Sequence, residues 1–144
     1  VMGDAVNQAS RFEGANKQYG TYMMIGEETY RRAQDKIEVR ILDRLVVKGK
    51  LKPITVYELL GRKGQVDQEM LQICAYFTEG INLYWNRQWD AAIAAFEKAL
   101  AVKGEDKPSR VFIERCHIYK NNPPGPNWQG EFVMETKSPM RFST

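Results

Sequence analysis

Soft metal-ligating side chains are scarce in this chain, with two cysteines and one histidine among 144 residues. So few cysteines exclude a disulfide-built scaffold. Cys74 and Cys116, each within an apolar helical pattern, read as half-buried thiols in a reducing cytoplasm. His117 has only Cys116 beside it and no carboxylate at metal spacing, so it reads as a surface or capping residue, not a zinc ligand. Long apolar runs are absent too. The longest, Ala91 to Phe96, is far shorter than the ~20 residues that cross a bilayer, and no basic stretch leads into an apolar one at the N-terminus. Neither a membrane segment nor a secretory leader is expected here. Charge of one sign is nowhere concentrated. The net charge of +3 comes from scattered Lys and Arg, densest at Lys48 to Lys52, which argues against nucleic acid as a partner. What remains, 43% hydrophobic and 27% charged, is a globular composition with room for one domain or two small ones. Val1 is not a natural start, so a longer parent polypeptide is expected.

The pattern of elements changes near Gly61. Before it, Asp4 is placed to cap a first helix whose apolar positions are Val6, Ala9 and Phe12, ending at Gly14 or Gly20. Tyr22 to Ile25 reads as a buried strand and Glu27 to Ala33 as a short helix. Ile37, Val39, Ile41, Leu45 and Val47 alternate as one face of a strand, with Asp43 interrupting as a turn or bulge would. Gly49 to Pro53 is a loop, and Ile54 to Leu60 a last strand. After a polar linker the pattern is helical. Met70, Ile73, Cys74, Phe77, Ile81 and Tyr84 form one stripe, and Trp89, Ala92, Ile93, Phe96, Ala99 and Leu100 a second. Asn86 to Gln88 separates them as a tight turn, which predicts a helical hairpin. Gly104 stops the second helix, and Pro108 opens a third with Phe112, Cys116 and Tyr119 on its apolar face. Pro123, Pro124 and Pro126 end it.

Chemistry concentrates in Gly3-Asp-Ala-Val-Asn-Gln-Ala-Ser-Arg11. Asn7 and Arg11 are four apart and share a helix face. An amide beside a guanidinium suits a nucleotide, the amide orienting a ribose oxygen and the guanidinium forking onto phosphate oxygens. Farther along, Val47-Lys48-Gly49-Lys50 holds an ammonium on a glycine-flanked loop, which a triphosphate can approach without obstruction. Each signal is weak alone, because such pairs and loops are commonly just solvated surface.

Together they resemble the class III adenylate/guanylate cyclases, whose helix reads Gly-Asp/Asn-x-Val-Asn-x-Ala-Ser-Arg. Residues 3 to 11 match it at every defined position. Glu13-Gly14, Tyr19-Gly20-Thr21 and the string from Val47 to Glu58 (Val-Lys-Gly-Lys-x-x-Pro-x-x-Val-Tyr-Glu) continue the resemblance. It implies that Asn7 orients the ribose, Arg11 stabilises charge on the α-phosphoryl group in the transition state, and Lys48 binds the terminal phosphates. The reaction implied turns a nucleoside triphosphate, ATP ahead of GTP, into its 3′,5′-cyclic monophosphate and pyrophosphate. It further implies Mg or Mn in the full-length enzyme, held by two aspartates upstream of this chain, and a homodimer through the cyclase domain. Residues 1–144 alone are then expected to be inactive.

The second half resembles a tetratricopeptide repeat, with Gly80, Ala92, Phe96 and Ala99 at that pattern's offsets, Trp89 at its large aromatic site and Gly104 replacing its closing Pro. The fold class expected is α+β. It comprises a partial ferredoxin-like cyclase domain (helix-strand-helix-strand-strand) over residues 1–61, a linker over 62–68, a tetratricopeptide-like hairpin with a third helix over 69–122, and a Pro-rich tail over 123–144. Trp128 and Phe132-Val133-Met134 are candidates for anchoring that tail. A cytoplasmic location is expected. The rival reading is a protein-interaction module, its helical extension binding a protein partner, attached to a non-catalytic cyclase remnant.

Overall fold

Two β-rich stretches, Ile37–Val47 (β2) and Ile54–Arg62 (β3), pair antiparallel and form the centre of a sheet. This computed structural model describes residues 15–21, 23–47 and 52–134. Residues 15–19 are helical (α1). Met24–Gly26 (β1) pairs antiparallel with β3, and Glu27–Ala33 (α2) follows directly. Glu27 and Glu28 open α2 while Arg31 and Arg32 close it, matching the helix dipole at both ends. The mixed α+β class is as expected, with a four-stranded sheet and five helices among the described residues.

The expected odd-numbered apolar face of β2 is not what forms. The β2–β3 register shifts between Glu38 and Val39 and again between Ile41 and Asp43. At the second shift Leu42 is the extra residue, so Leu42 and Asp43 are consecutive yet both buried. A bulge changes which parity faces inward. Ile37, Val39 and Ile41 are therefore only half-buried, while Arg40 and Leu42 join Leu45 on the covered face.

The residues expected to be a Pro-rich tail contribute structure as well. Glu131–Met134 (β4) pairs parallel with β2, Leu45 opposite Phe132 and Val47 opposite Met134, giving strand order β1-β3-β2-β4. A parallel neighbour needs a long crossover and leaves no local sign in sequence, so four residues after a proline cluster gave no warning. By contacts the chain makes two units, one drawn from the chain up to Gly64 together with residues from Glu131 onward, the other Gln65–Gly130.

The second unit contains Gln68–Trp85 (α3), Trp89–Lys103 (α4) and Lys107–Asn121 (α5). Asp67 caps α3 by accepting from the Met70 N–H at 2.7 Å, and Gly104 ends α4 in the left-handed region at φ 81°. One ring from each helix meets at the centre. Phe77 lies 5.2 Å from Phe96 and 5.6 Å from Phe112, and Phe96 lies 5.6 Å from Phe112, between centroids. Beyond α5, Trp128 stands edge-on to Tyr84 at 5.4 Å and close to Trp89 and Tyr119. The Arg87 guanidinium donates to the Pro124 and Gly125 carbonyls at 3.0 and 2.5 Å, tying that segment to the α3–α4 turn.

Neither cysteine forms a disulfide. Cys116 is fully buried rather than half-buried as expected, and burial pushes its thiol up to about 12. At pH 8 only about one part in ten thousand of such a thiol is thiolate, the reactive form. Alkylation of the native chain at that pH should therefore label the half-buried Cys74 first, with Cys116 reacting only after denaturation. Equal labelling rates, read by peptide mass, would contradict the packing of α5.

Candidate functional site

Asn7, Arg11 and Lys48, the residues singled out by sequence for substrate handling, lie outside the described residues. The framework adjoining them in sequence is described. Residues 15–19, which come after Arg11 in sequence, are helical, and β2 ends at Val47, one residue before Lys48. Lys48 falls in sequence between the end of β2 at Val47 and the start of β3 at Ile54.

Local chemistry fixes where α1 stops. Gly20 takes φ 75°, and its N–H and that of Thr21 both donate to the Asn16 carbonyl at 2.8 and 2.9 Å. The Thr21 hydroxyl adds a bond to the Asn16 side-chain oxygen at 2.7 Å. Just inside that end, Tyr19 is fully buried and its hydroxyl donates to Oδ2 of Asp43. The other carboxylate oxygen, Asp43 Oδ1, accepts from the Arg44 N–H at 2.7 Å. A helix end and the bulged strand are thus joined by a polar contact inside the fold.

A second buried polar pair lies on the same sheet face. Asp43 is opposite Val56, and Arg40 is opposite Glu58, two residues along β3. Arg40 is 2% exposed, and its Nε and Nη2 reach Glu58 Oε1 at 3.1 and 3.0 Å. The opposite face carries Tyr57, stacked on Tyr30 of α2 at 4.4 Å. Burial, and then the nearby Glu27 carboxylate, raise the Tyr57 phenol above its ordinary value.

Among the described residues no group of three or more His, Cys, Asp and Glu side chains converges as a metal site. Among them, too, no helix is long and apolar enough to cross a membrane. Sequence reasoning missed Tyr19 and Asp43 as a pair. The available signal was an acidic residue inside an otherwise apolar strand, which registered only as an interruption.

No protein-family model matches the chain, and no solved structure matches it. Curated relatives do. A terminal-differentiation-specific adenylate cyclase of Dictyostelium discoideum is 29% identical over 120 residues, 81% of this chain and 6% of that protein. An adenylate cyclase of Anabaena cylindrica is 45% identical over 62 residues, 41% of this chain and 12% of that protein. Adenylate cyclase 1 of Rhizobium meliloti is 38% identical over 61 residues, 42% of this chain and 9% of that protein. The chain carries a cyclase-related domain. It spans only about a tenth of the length of these relatives. The Dictyostelium match is longer than either compact unit, so that likeness reaches into both.

Proposed function

We propose that this chain is the C-terminal part of a class III cyclase catalytic domain joined to a helical extension, and that its parent makes 3′,5′-cyclic AMP and pyrophosphate from ATP in signal transduction. The observation carrying this reading is the agreement, in order and spacing, of Gly3 to Arg11 and Val47 to Glu58 with the cyclase pattern. That all three relatives are named adenylate cyclase favours ATP over GTP. In the reaction the ribose 3′ oxygen bonds to the α-phosphorus as the bond to pyrophosphate breaks. Asn7 holds the ribose for that attack, Arg11 meets charge growing on the α-phosphoryl oxygens, and Lys48 holds the terminal phosphates. The metal-binding aspartates and the purine-reading lysine belong upstream, so this chain supplies part of one half-site. A second cyclase domain completes it, making a cytoplasmic homodimer the expected assembly.

The test is product formation. The full-length parent with Mg²⁺ or Mn²⁺ should release cyclic AMP and pyrophosphate in equal amounts from ATP, and much less cyclic GMP from GTP. Purified residues 1–144 should release neither. Preference for GTP would overturn the substrate, and turnover by the 144-residue chain would overturn the half-site.

The helical unit supports a second, compatible reading as a tetratricopeptide-type interaction module. Gly80, Ala92, Phe96 and Ala99, the pattern's defining positions, are all buried between packed helices. A parent lacking this unit should then keep basal cyclase activity and lose response to its regulator. Unchanged regulation would remove the interaction role.

A further inference from the structure

Tyr84 near the end of α3, Trp89 at the start of α4 and Tyr119 near the end of α5 bring one ring each to the same end of the helical unit. The three rings meet one another. Tyr84 lies 5.8 Å from Trp89 and 6.1 Å from Tyr119, and Trp89 lies 5.4 Å from Tyr119, between centroids. Tyr84 is fully buried and the other two are half-buried, so they form the floor and walls of a groove through contacts that do not involve its occupant. That occupant is Trp128, at 5.4 Å from Tyr84, 5.6 Å from Tyr119 and 5.8 Å from Trp89. It comes from the connection after α5, not from a helix.

Trp128 is delivered by Pro123-Pro124-Gly125-Pro126-Asn127. Three prolines have no N–H to give to a ladder, and residues 122–130 contain neither helix nor strand. Pro123, Gly125, Pro126 and Asn127 are exposed. Arg87 grips the segment from the α3–α4 turn. Its guanidinium lies 5.4 Å over the Trp128 ring and donates to the Pro124 and Gly125 carbonyls. The Arg87 backbone takes φ 64°, a left-handed conformation that suits Gly or Asn better than a long side chain. Backbone strain of this kind clusters at ligand clamps. Aromatic-lined grooves are receptors for proline-rich peptides, whose restricted backbone lowers the entropy lost on binding. Here a guanidinium adds a donor aimed at the peptide carbonyls.

We propose that this groove is a proline-rich peptide site, occupied in the structure by the chain's own residues 123–128 as an intramolecular strap, and that its partner is a protein presenting a proline-rich segment followed by Trp. The partner enters by displacing the strap, which therefore sets a threshold for binding. This names a partner class for the helical unit and rests on reading that unit as an interaction module. The two fail separately, this one on peptide binding and that one on the regulation of a parent lacking the unit. A tethered occupant competes at an effective concentration of about millimolar for a short flexible tether, so removing it should tighten binding in trans.

The probe is a fluorophore-labelled peptide with the sequence of residues 121–130, titrated by anisotropy into the 144-residue chain and its variants. Trp128→Ala empties the groove and should bind the peptide at least ~10-fold more tightly than the wild type does. Adding Trp89→Ala or Arg87→Ala to that variant should weaken binding by roughly 10-fold or more. A peptide with its prolines replaced by Ala should also bind about 10-fold more weakly. Equal binding of that peptide would mean that Trp alone is read, which overturns a proline-rich partner. Equal affinity of the wild type and Trp128→Ala, or no binding to either, would overturn the site. So would a concentration-dependent dimer of the wild-type chain that the peptide dissociates, since a second copy would then be the occupant. If Trp128→Ala loosens the helices, seen as faster amide exchange across Asp90 to Leu100, the wild-type chain decides. There the amides from Asn127 to Gly130 should exchange at least ~10-fold faster than those of α4, as a displaceable strap requires. Equal protection of the two segments would overturn the proposal.

Discussion

Replacing Arg11 by Ala in the full-length parent should lower kcat by roughly 10²–10³-fold while KM moves little. The contrast rests on when charge appears. The α-phosphoryl oxygens gain charge as the 3′ oxygen attacks, so a guanidinium aimed at them binds the transition state better than the bound substrate. Removing an interaction made only in the transition state lowers kcat and kcat/KM together. Lys48 is expected to behave differently. The terminal phosphates are fully charged before reaction begins, so Lys48→Ala removes binding common to both states and should raise KM with kcat less affected. Steady-state kinetics on the two variants side by side separate the roles. If Arg11→Ala changed KM alone, its transition-state role would be wrong, and if the two profiles were interchangeable, the assignment of phosphates to residues would be wrong.

How much of this could be read from sequence depended on whether the signal was local. The α3–α4 hairpin was legible because its apolar stripe, its Asn86–Gln88 turn and its Gly104 stop all lie within neighbouring turns of chain. β3 was placed correctly and runs only two residues past its expected end, to Arg62. β2 was found, but its buried face was misassigned, because a bulge is set by pairing with β3 and alternation cannot reveal which residue is the extra one. β4 was missed because its partner lies far back in sequence and the pairing is parallel. Arg40 and Glu58 show the same limit. The sequence analysis gave neither a partner, and only their register brings them together inside the fold. The candidate residues Asn7, Arg11 and Lys48 were named from short local motifs, whereas the Tyr19–Asp43 contact is a product of tertiary structure.

The helical unit offers the other large effect, where Gly80 of α3 meets Phe96 of α4. A Cβ at Gly80 would meet three atoms of the Phe96 ring at 2.5, 2.7 and 2.8 Å. Phe96 is fully buried and in contact with Phe77 and Phe112, so the ring cannot swing aside without disturbing both. Two effects compete in Gly80→Ala. Helix propensity favours Ala by about 1 kcal/mol. Overpacking a filled core costs about 1–3 kcal/mol, and contacts this short lie at the upper end. The clash should win, leaving a net loss of about 1–2 kcal/mol. Phe96→Ala should be worse, at about 3–5 kcal/mol, because it removes the ring shared by all three helices and leaves a cavity. The pair should couple. With Phe96→Leu in place the side chain opposite Gly80 is smaller, so Gly80→Ala should then be less harmful than in the wild type and can become favourable through propensity. Urea unfolding of the 144-residue chain, with amide exchange across Asp90 to Leu100 to isolate the helical unit, measures each term. A more stable Gly80→Ala in the wild-type background would mean that α3 and α4 do not approach as closely as Gly80 and Phe96 require.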